Sequence, residues 1–402
     1  MSKRFALPTT PRASRLEWVL WGLAGLGFLV GLYGMYDRFV FGHLNANYGS
    51  YVPWGLWVAA YVYFVGMSAG VTLLVSAWYL MRRPLASLGR LGVWLALVTF
   101  TTGMFLIWLD LGQLGRVWRL YLRTNFMSMM GLMAWLYLVY GIGLALALWF
   151  LWRSRGGEPL VMRWLVYLAV PLAIAFAGGE GALFGVVGAR PFWSEGLPQV
   201  LFLVTAVLSG GAVLSLAAAL FTIGAPGWDE VVAVLRPILM IGIGVTLLME
   251  WAQVSMGLYS AIPARAASLN LMLFGPYWWV FWIVFLGLGL VAPLLLLLFV
   301  RPTRLTMGLA GLLVAVGLFG SKLNIIIPGL AVSELQGLER AFTGPGLSFQ
   351  YFPSVTEWLV FVWVISFSAL LFLAGRRLLP SLLGGAEMQD KPELSRVATP
   401  AS

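Results

Sequence analysis

Ten apolar runs, each about twenty residues or longer, recur along this 402-residue chain. A run of that length crosses the hydrocarbon of a bilayer as a helix. Lipid offers backbone N–H and C=O groups no partner, so such a run must satisfy them within itself. The runs cover residues 18–36, 52–81, 89–111, 126–152, 162–188, 197–223, 232–260, 271–300, 305–328 and 352–376. The expected fold is therefore all-α, a polytopic membrane protein of ten transmembrane spans. Composition agrees: 61% of residues are hydrophobic and 10% charged, against about 25% charged in soluble domains.

A net charge of +10 then reads as membrane topology; no stretch resembles a nucleic-acid module. Cysteine is absent and histidine occurs once, at His43. That excludes disulfides, thiolate-held zinc, cysteine-ligated iron–sulfur clusters and a haem held between two histidines of this chain. Of the 25 Lys and Arg residues, 17 fall on the side of both termini when the ends are placed in the cytoplasm. Arg38, Arg116, Arg119, Arg123, Arg190, Arg265 and Arg340 fall on the other side, and Lys322 lies inside a span. The bias predicts an N-in, C-in orientation, as in a bacterial cytoplasmic membrane protein. The first run is too long for a signal peptide and no small-residue cleavage site follows it. Residues 1–17 read as a cytoplasmic segment, 18–380 as one transmembrane domain and 381–402 as a disordered tail.

A repeat is legible at a near-constant offset. Ser68-Ala69-Gly70 answers Ser209-Gly210-Gly211 at 141 positions; Asp110 with Gln113 answers Glu250 with Gln253 at 140; Glu180 answers Lys322 at 142. Four helices per unit preserve direction, which predicts two parallel four-helix bundles, about 52–188 and 197–328. These are spans 2–5 and 6–9, with the first and tenth spans added peripherally.

Charged residues inside spans cost on the order of 3 kcal/mol at the bilayer centre, so each needs a reason. Asp110, Glu180, Glu250 and Lys322 all fall in the outer part of the membrane. Asp110 and Glu250 lie near the C-terminal ends of outward helices, where the macrodipole disfavours a negative charge. A proton, a cation such as Lys322, or the amides of Gln113 and Gln253 at i+3 would offset that. Simpler readings stand beside these. Asp110 pairs with Arg116 or Arg119 at the interface, Lys322 is a structural counter-ion, and Ser354 to Glu357 form a capping box. Gly181 and Gly185 serve helix packing. Trp54, Trp57, Trp118, Trp193 and Trp278 are interface anchors, and His43 is a surface residue. Arg116, Arg119 and Arg123 form a basic face that is either solvated or a docking point.

Four stretches resemble a known family: YVPWGLWVAAYVYFVGMSAG (51–70), LDLGQLGRVWRLYLRTNFMSMMGLMAWLYLVY (109–140), GALFGVVGARPFWSEGLPQVLFLVTAVLSGGA (181–212) and KLNIIIPGL with YFPSVTEW (322–358). They are similar to the polysulfide reductase membrane subunits, also called NrfD-like, in their ten-helix branch. The resemblance implies a subunit that binds menaquinone or ubiquinone near the outer face and carries no prosthetic group of its own. It implies partners bearing iron–sulfur clusters or haems, and a catalytic subunit such as a molybdopterin enzyme, hydrogenase or cytochrome. Relatives often carry a histidine before the ARPFW motif; here the segment reads AGGEGALFG, making Glu180 its substitute. Asp110, Glu180 and Glu250 are then the expected proton-handling residues, with Gln113, Gln253, Lys322 and Arg190 around the quinone. Buried carboxylates are suited to this because loss of water favours their protonated form. Two rival readings stay open: a proton-coupled transporter, whose midplane carboxylates and repeats look alike, and a purely structural anchor.

Overall fold

The computed structural model describes residues 15–81, 86–153, 160–194, 196–221, 228–260, 262–335, 337–342 and 344–378. The tail from 381 and the first fourteen residues lie outside these. Every regular element among the described residues is helical. Ten helices are long and apolar enough to cross a membrane. In chain order they are span 1 Arg15–Phe41, span 2 Leu56–Leu80, span 3 Ala86–Asp110, span 4 Met129–Arg153 and span 5 Leu160–Gly185. Span 6 is Leu197–Phe221, span 7 Trp228–Tyr259, span 8 Val280–Phe299, span 9 Arg304–Leu330 and span 10 Val355–Leu378. All ten expected spans are present.

Spans 2 to 5 close into one ring of neighbours and spans 6 to 9 into another. Span 2 packs along span 6, joining the rings. The repeated small-residue motifs make that contact. A Cβ on Gly70 would strike the Ala206 carbonyl, and one on Gly210 would strike the backbone of Gly70 and Val71. Small residues let transmembrane helices approach backbone to backbone, where dispersion replaces the missing hydrophobic drive. Spans 2, 6 and 9 are accordingly the molecule's interior: 83%, 67% and 67% of their central windows are buried within the protein. Spans 4, 5 and 7 show much more of their surface to lipid.

Spans 1 and 10 pair with each other through Gly27, Gly31 and Gly34, which sit against Ser366, Trp363 and Leu359. Span 10 leans on span 3, where the Trp94 indole donates to the Phe372 carbonyl at 3.2 Å and Thr102 donates to Ser368 at 2.6 Å. Span 10 opens with the expected capping box. Glu357 N–H donates to Ser354 Oγ and Ser354 N–H donates to Glu357 Oε1, each at 3.2 Å.

Span 8 differs from its expected extent of 271–300. A short helix Pro263–Leu273 and a turn precede it, tied to it by Trp282 Nε1 donating to the Leu273 carbonyl at 2.9 Å. Residues Val280–Val291 are wound as a π-helix, and α winding resumes at Ala292, just before Pro293, which has no N–H to donate. Pro237 lies inside span 7. Trp57 and Trp193, expected at the interface, are 1% and 2% exposed. Trp57 donates to the Glu357 carbonyl, and Trp193 stacks on Trp54 and packs edge-on against Phe184, so these rings weld loops to helices. Trp118 and Trp278 keep exposed faces.

The glycine crossing gives a direct test. Gly70→Leu overpacks a backbone contact and is expected to cost about 1–3 kcal/mol or more, lowering the midpoint of thermal unfolding of the purified protein. Gly244→Ala, in span 7 with nothing within 4 Å of the added methyl, is expected to leave it unchanged or raise it. Equal midpoints for the two variants would contradict this packing.

Candidate functional site

The intramembrane polar residues gather into two clusters. The first lies at the ends of spans 1, 2, 3 and 10, on the side away from the termini. Span 1 ends with Asp37 and Arg38, both buried. Arg38 donates from Nε to the Leu109 carbonyl and from Nη2 to the Leu111 carbonyl, each at 2.7 Å. These carbonyls belong to the unsatisfied C-terminal end of span 3, so the guanidinium caps that helix. Its charge stands beside Asp110. The cation near Asp110 is thus Arg38; Arg116 and Arg119 are exposed on the short helical loop beyond. Asp110 Oδ1 is buried without a hydrogen-bond partner. Gln113 lies past the end of span 3, exposed, so the i+3 relation to Asp110 is lost.

The turn after span 1 brings His43 and Tyr48 into the same cluster. Their side chains share a hydrogen bond through Nδ1 and the phenolic oxygen, and both rings pack on Trp57. His43 is half-buried rather than a surface residue, and its Nε2 is buried without a partner. Burial, then the nearby Asp110 and Glu357 carboxylates, raise the Tyr48 hydroxyl well above the tyrosine range. It therefore stays protonated. Neutral His43 carries its proton on Nε2 when that hydroxyl donates to Nδ1, and on Nδ1 when the hydroxyl accepts; in either tautomer Nε2 is the nitrogen left to meet another group. Burial first, and the Arg38 charge second, lower His43 below the ordinary histidine value, while the Leu111 carbonyl opposes them.

Glu357 completes this cluster and does more than cap a helix. It is fully buried. Its Oε1 also accepts from the Asn47 N–H at 2.9 Å, and its Oε2 accepts from the Tyr351 hydroxyl. Tyr351 in turn accepts from the Leu56 N–H at 2.8 Å, at the start of span 2. Asp37 accepts from Asn45 at 2.7 Å and from Thr356 at 2.9 Å. The loop before span 2 and the loop before span 10 are thereby laced together around buried carboxylates.

The second cluster lies where the two bundles meet. Glu180 of span 5 is 1% exposed, and its Oε1 accepts from the Tyr137 hydroxyl at 3.3 Å. Tyr137 shares a hydrogen bond with Tyr61 at 2.6 Å. One turn further along span 4, the Tyr140 hydroxyl bonds with Ser68 at 2.8 Å and Thr72 at 2.7 Å. Lys322 of span 9, 4% exposed, donates to Thr205 Oγ1 at 3.1 Å and stands 3.5 Å from the centre of the Phe202 ring. Its charge is felt by both Glu180 and Glu250. Among the described residues no ion pair within 4.0 Å joins it to either. Around it, Gln253 Oε1, Ser321 Oγ and both amide atoms of Asn324 are buried without partners. Glu250 itself is half-buried on span 7.

Arg190 belongs to neither cluster. Its Nη1 donates to the carbonyls of Gly329, Leu330 and Val332 at 3.3, 3.3 and 2.8 Å, and its Nε pairs with Glu334 at 2.6 Å. Trp193 of the same ARPFW motif donates to the Ile325 carbonyl at 2.7 Å. The motif therefore caps the C-terminal end of span 9 and fixes the helix that carries Lys322. Burial lowers the Arg190 guanidinium and Glu334 opposes that shift.

Comparison with known proteins settles the family. The family model described as Polysulphide reductase, NrfD, matches residues 43–334. The chain belongs to the NrfD family. The matched stretch takes in spans 2 to 9 and leaves spans 1 and 10 outside it. A selenate reductase subunit of Mesobacillus selenatarsenatis is 30% identical over 383 residues, covering 86% of this chain and 90% of that one. The Hdr-like menaquinol oxidoreductase integral membrane subunit of Archaeoglobus fulgidus is 27% identical over 340 residues, covering 81% and 84%. Protein NrfD of Escherichia coli is 27% identical over 275 residues, covering 60% and 83%. The chain is thus a multi-pass membrane subunit of the kind that serves redox complexes.

Within the NrfD core, sequence reasoning singled out Asp110, Glu180, Glu250 and Lys322, and the structure places each in a polar cluster. It missed Arg38, His43, Tyr48, Tyr61 and Tyr137. Arg38 carried one signal, an arginine at the outward end of a span on the poorly charged side. The tyrosines carried none, because a phenol in an apolar run reads as core.

His43 is the chain's single histidine, so histidine-selective labelling reports one ring by magnetic resonance. Its protonation midpoint is expected below the ordinary value of about 6.5. The folded protein then binds this proton less tightly than the unfolded chain, so acidification through that range lowers stability. A midpoint at or above 6.5 would contradict the environment described.

Proposed function

We propose that this NrfD-family chain is the quinone-reactive subunit of its complex. It would exchange electrons between the menaquinone or ubiquinone pool and a partner bearing iron–sulfur clusters or haem, itself joined to a catalytic subunit. The observation that carries the reading is the pair of buried, unpartnered atoms Asp110 Oδ1 and His43 Nε2 in one cluster at the outer end of the molecule. A buried polar atom left unpaired costs about 1–3 kcal/mol. Sites that meet a ligand accept such costs because the ligand supplies the missing bond. The relative named as a menaquinol oxidoreductase subunit supports the same ligand class.

A quinone, when bound, supplies two-electron chemistry coupled to two protons. Everything else is the work of the chain. Neutral His43 offers Nε2, a donor when Tyr48 donates to Nδ1 and an acceptor in the other tautomer, while the bond to Tyr48 holds the ring in place. Asp110 offers an acceptor when ionised and a donor when protonated, with the Arg38 cation beside it. The two residues are therefore suited to the two oxygens of a quinone ring. Glu357, whose oxygens are already engaged, fixes the loop that carries His43. Glu180, Lys322 and Glu250 form the second proton-handling group, with Tyr137 and Tyr61 extending from Glu180 into the first bundle. On the proposed N-in, C-in orientation both clusters lie in the outer half of the membrane. The partner would then dock on the outer loops, among them the exposed Arg116, Arg119 and Arg123.

Single replacements Asp110→Asn, Glu180→Gln and Glu250→Gln in the assembled complex test this. Asp110→Asn is expected to reduce quinone-linked turnover by about 10²-fold or more, the range of a lost general acid–base group. Partner-only turnover with an artificial electron carrier should stay intact. Glu180→Gln and Glu250→Gln are expected to slow quinone-linked turnover less. Full quinone-linked turnover in all three variants would remove these residues from the site.

A further inference from the structure

On the face that carries both termini, spans 1, 6 and 10 enclose a feature unrelated to either cluster. Span 10 ends with Arg376 and Arg377. The Arg376 guanidinium lies over the Phe221 ring at 4.0 Å. The Arg377 guanidinium lies over the Trp18 and Trp21 rings at 4.5 and 5.4 Å, and its Nε meets Glu17 Oε1 at 3.3 Å. Stacking on ring faces holds both cations in place but uses none of their N–H groups. Arg376 Nη1, Arg377 Nη2 and the indole Nε1 of Trp21 are all buried and without a hydrogen-bond partner. Three orphaned donors, two of them on cations, with Glu17 paired to Arg377, leave positive charge and donor capacity unspent among the described residues.

An apolar groove of about 280 Å³ lies between spans 1, 6 and 10, lined by Leu20, Leu23, Phe221, Ala369 and Phe372 among others. Phe221 belongs to both features: its ring bears Arg376 and it is one of the residues lining the groove. Leu23 is 62% exposed, so the groove opens where lipid chains lie.

We propose that this is a binding site for one anionic phospholipid, its phosphate held by Arg376, Arg377 and Trp21 and an acyl chain laid in the groove. A phosphate oxygen accepts from guanidinium and indole N–H groups, and charge-assisted bonds of this type are the strong ones. A zwitterionic headgroup brings its own cation to a place that already holds two, so the site selects a net negative charge. The lipid would also seal spans 1 and 10 to span 6, the helices outside the matched family core to the helix at its centre.

The test is native mass spectrometry of the purified full-length protein in detergent with added phosphatidylglycerol or phosphatidylcholine. The wild type is expected to retain one phosphatidylglycerol in preference to phosphatidylcholine, and millimolar inorganic phosphate is expected not to displace it. Arg376→Gln is expected to reduce that retention roughly tenfold. Trp21→Phe keeps the ring under Arg377 and removes the indole donor, and should reduce retention severalfold with folding intact. Equal retention of both lipids by the wild type, displacement by inorganic phosphate, or unchanged retention in both variants would overturn the proposal.

Discussion

The contact between Gly70 and Gly210 sets the arrangement of everything else in this molecule. A side chain at either position would enter the other helix's backbone. Absence of side chains lets span 2 and span 6 lie against each other backbone to backbone. The two motifs that answer each other in the sequence repeat meet at this contact. The consequences are geometric. Span 5 packs on span 6 as span 9 packs on span 2, and the residues Glu180 and Lys322, equivalent in sequence, come to face each other's bundle. Buried Lys322 and Glu180 and half-buried Glu250 are thereby brought into one electrostatic neighbourhood, with no ion pair joining them among the described residues. That openness is what the proposed proton-handling role calls for, and what a fully satisfied structural pair lacks.

The equivalence is then broken by two helices. Glu250 keeps company with Lys322, whereas its counterpart Asp110 is claimed by Arg38 of span 1 and the neighbourhood of Glu357 of span 10. Spans 1 and 10 lie outside the stretch matched by the family model, which begins at His43. The cation that caps span 3 and the carboxylate that anchors the outer loops therefore come from the added pair, and the histidine stands at their junction with the core. One bundle is thus equipped at the end away from the N-terminus of span 1 and the other at the interface between bundles.

How much of this was legible in the sequence depends on what each signal is made of. Ten apolar runs sufficed for ten helices, since in hydrocarbon no other local structure satisfies the backbone. The repeat was legible because small residues and charges are rare in such runs, and their spacing survives when little else does. The start of span 8 was not legible: residues 271–279 are as apolar as a helix, but Gly275 sits on the backbone of Leu271 and the chain turns there. The sequence signal at Arg190, an arginine in a family motif, was compatible with a ligand role and did not reveal that its donors cap the end of span 9. His43 and Tyr48 were invisible because their meaning lies in a fold-back between a loop and three helices. No periodicity records a fold-back.

Whether a quinone ring meets this chain at Asp110 and His43 can be decided by photoaffinity labelling of the assembled complex with an azido-quinone analogue, followed by peptide mapping. Label is expected in the segments 38–57 and 105–113, and is expected to disappear when excess unlabelled quinone is present. Protectable label confined to residues around Lys322 and Glu250, with none near Asp110, would contradict a quinone site at the outer cluster.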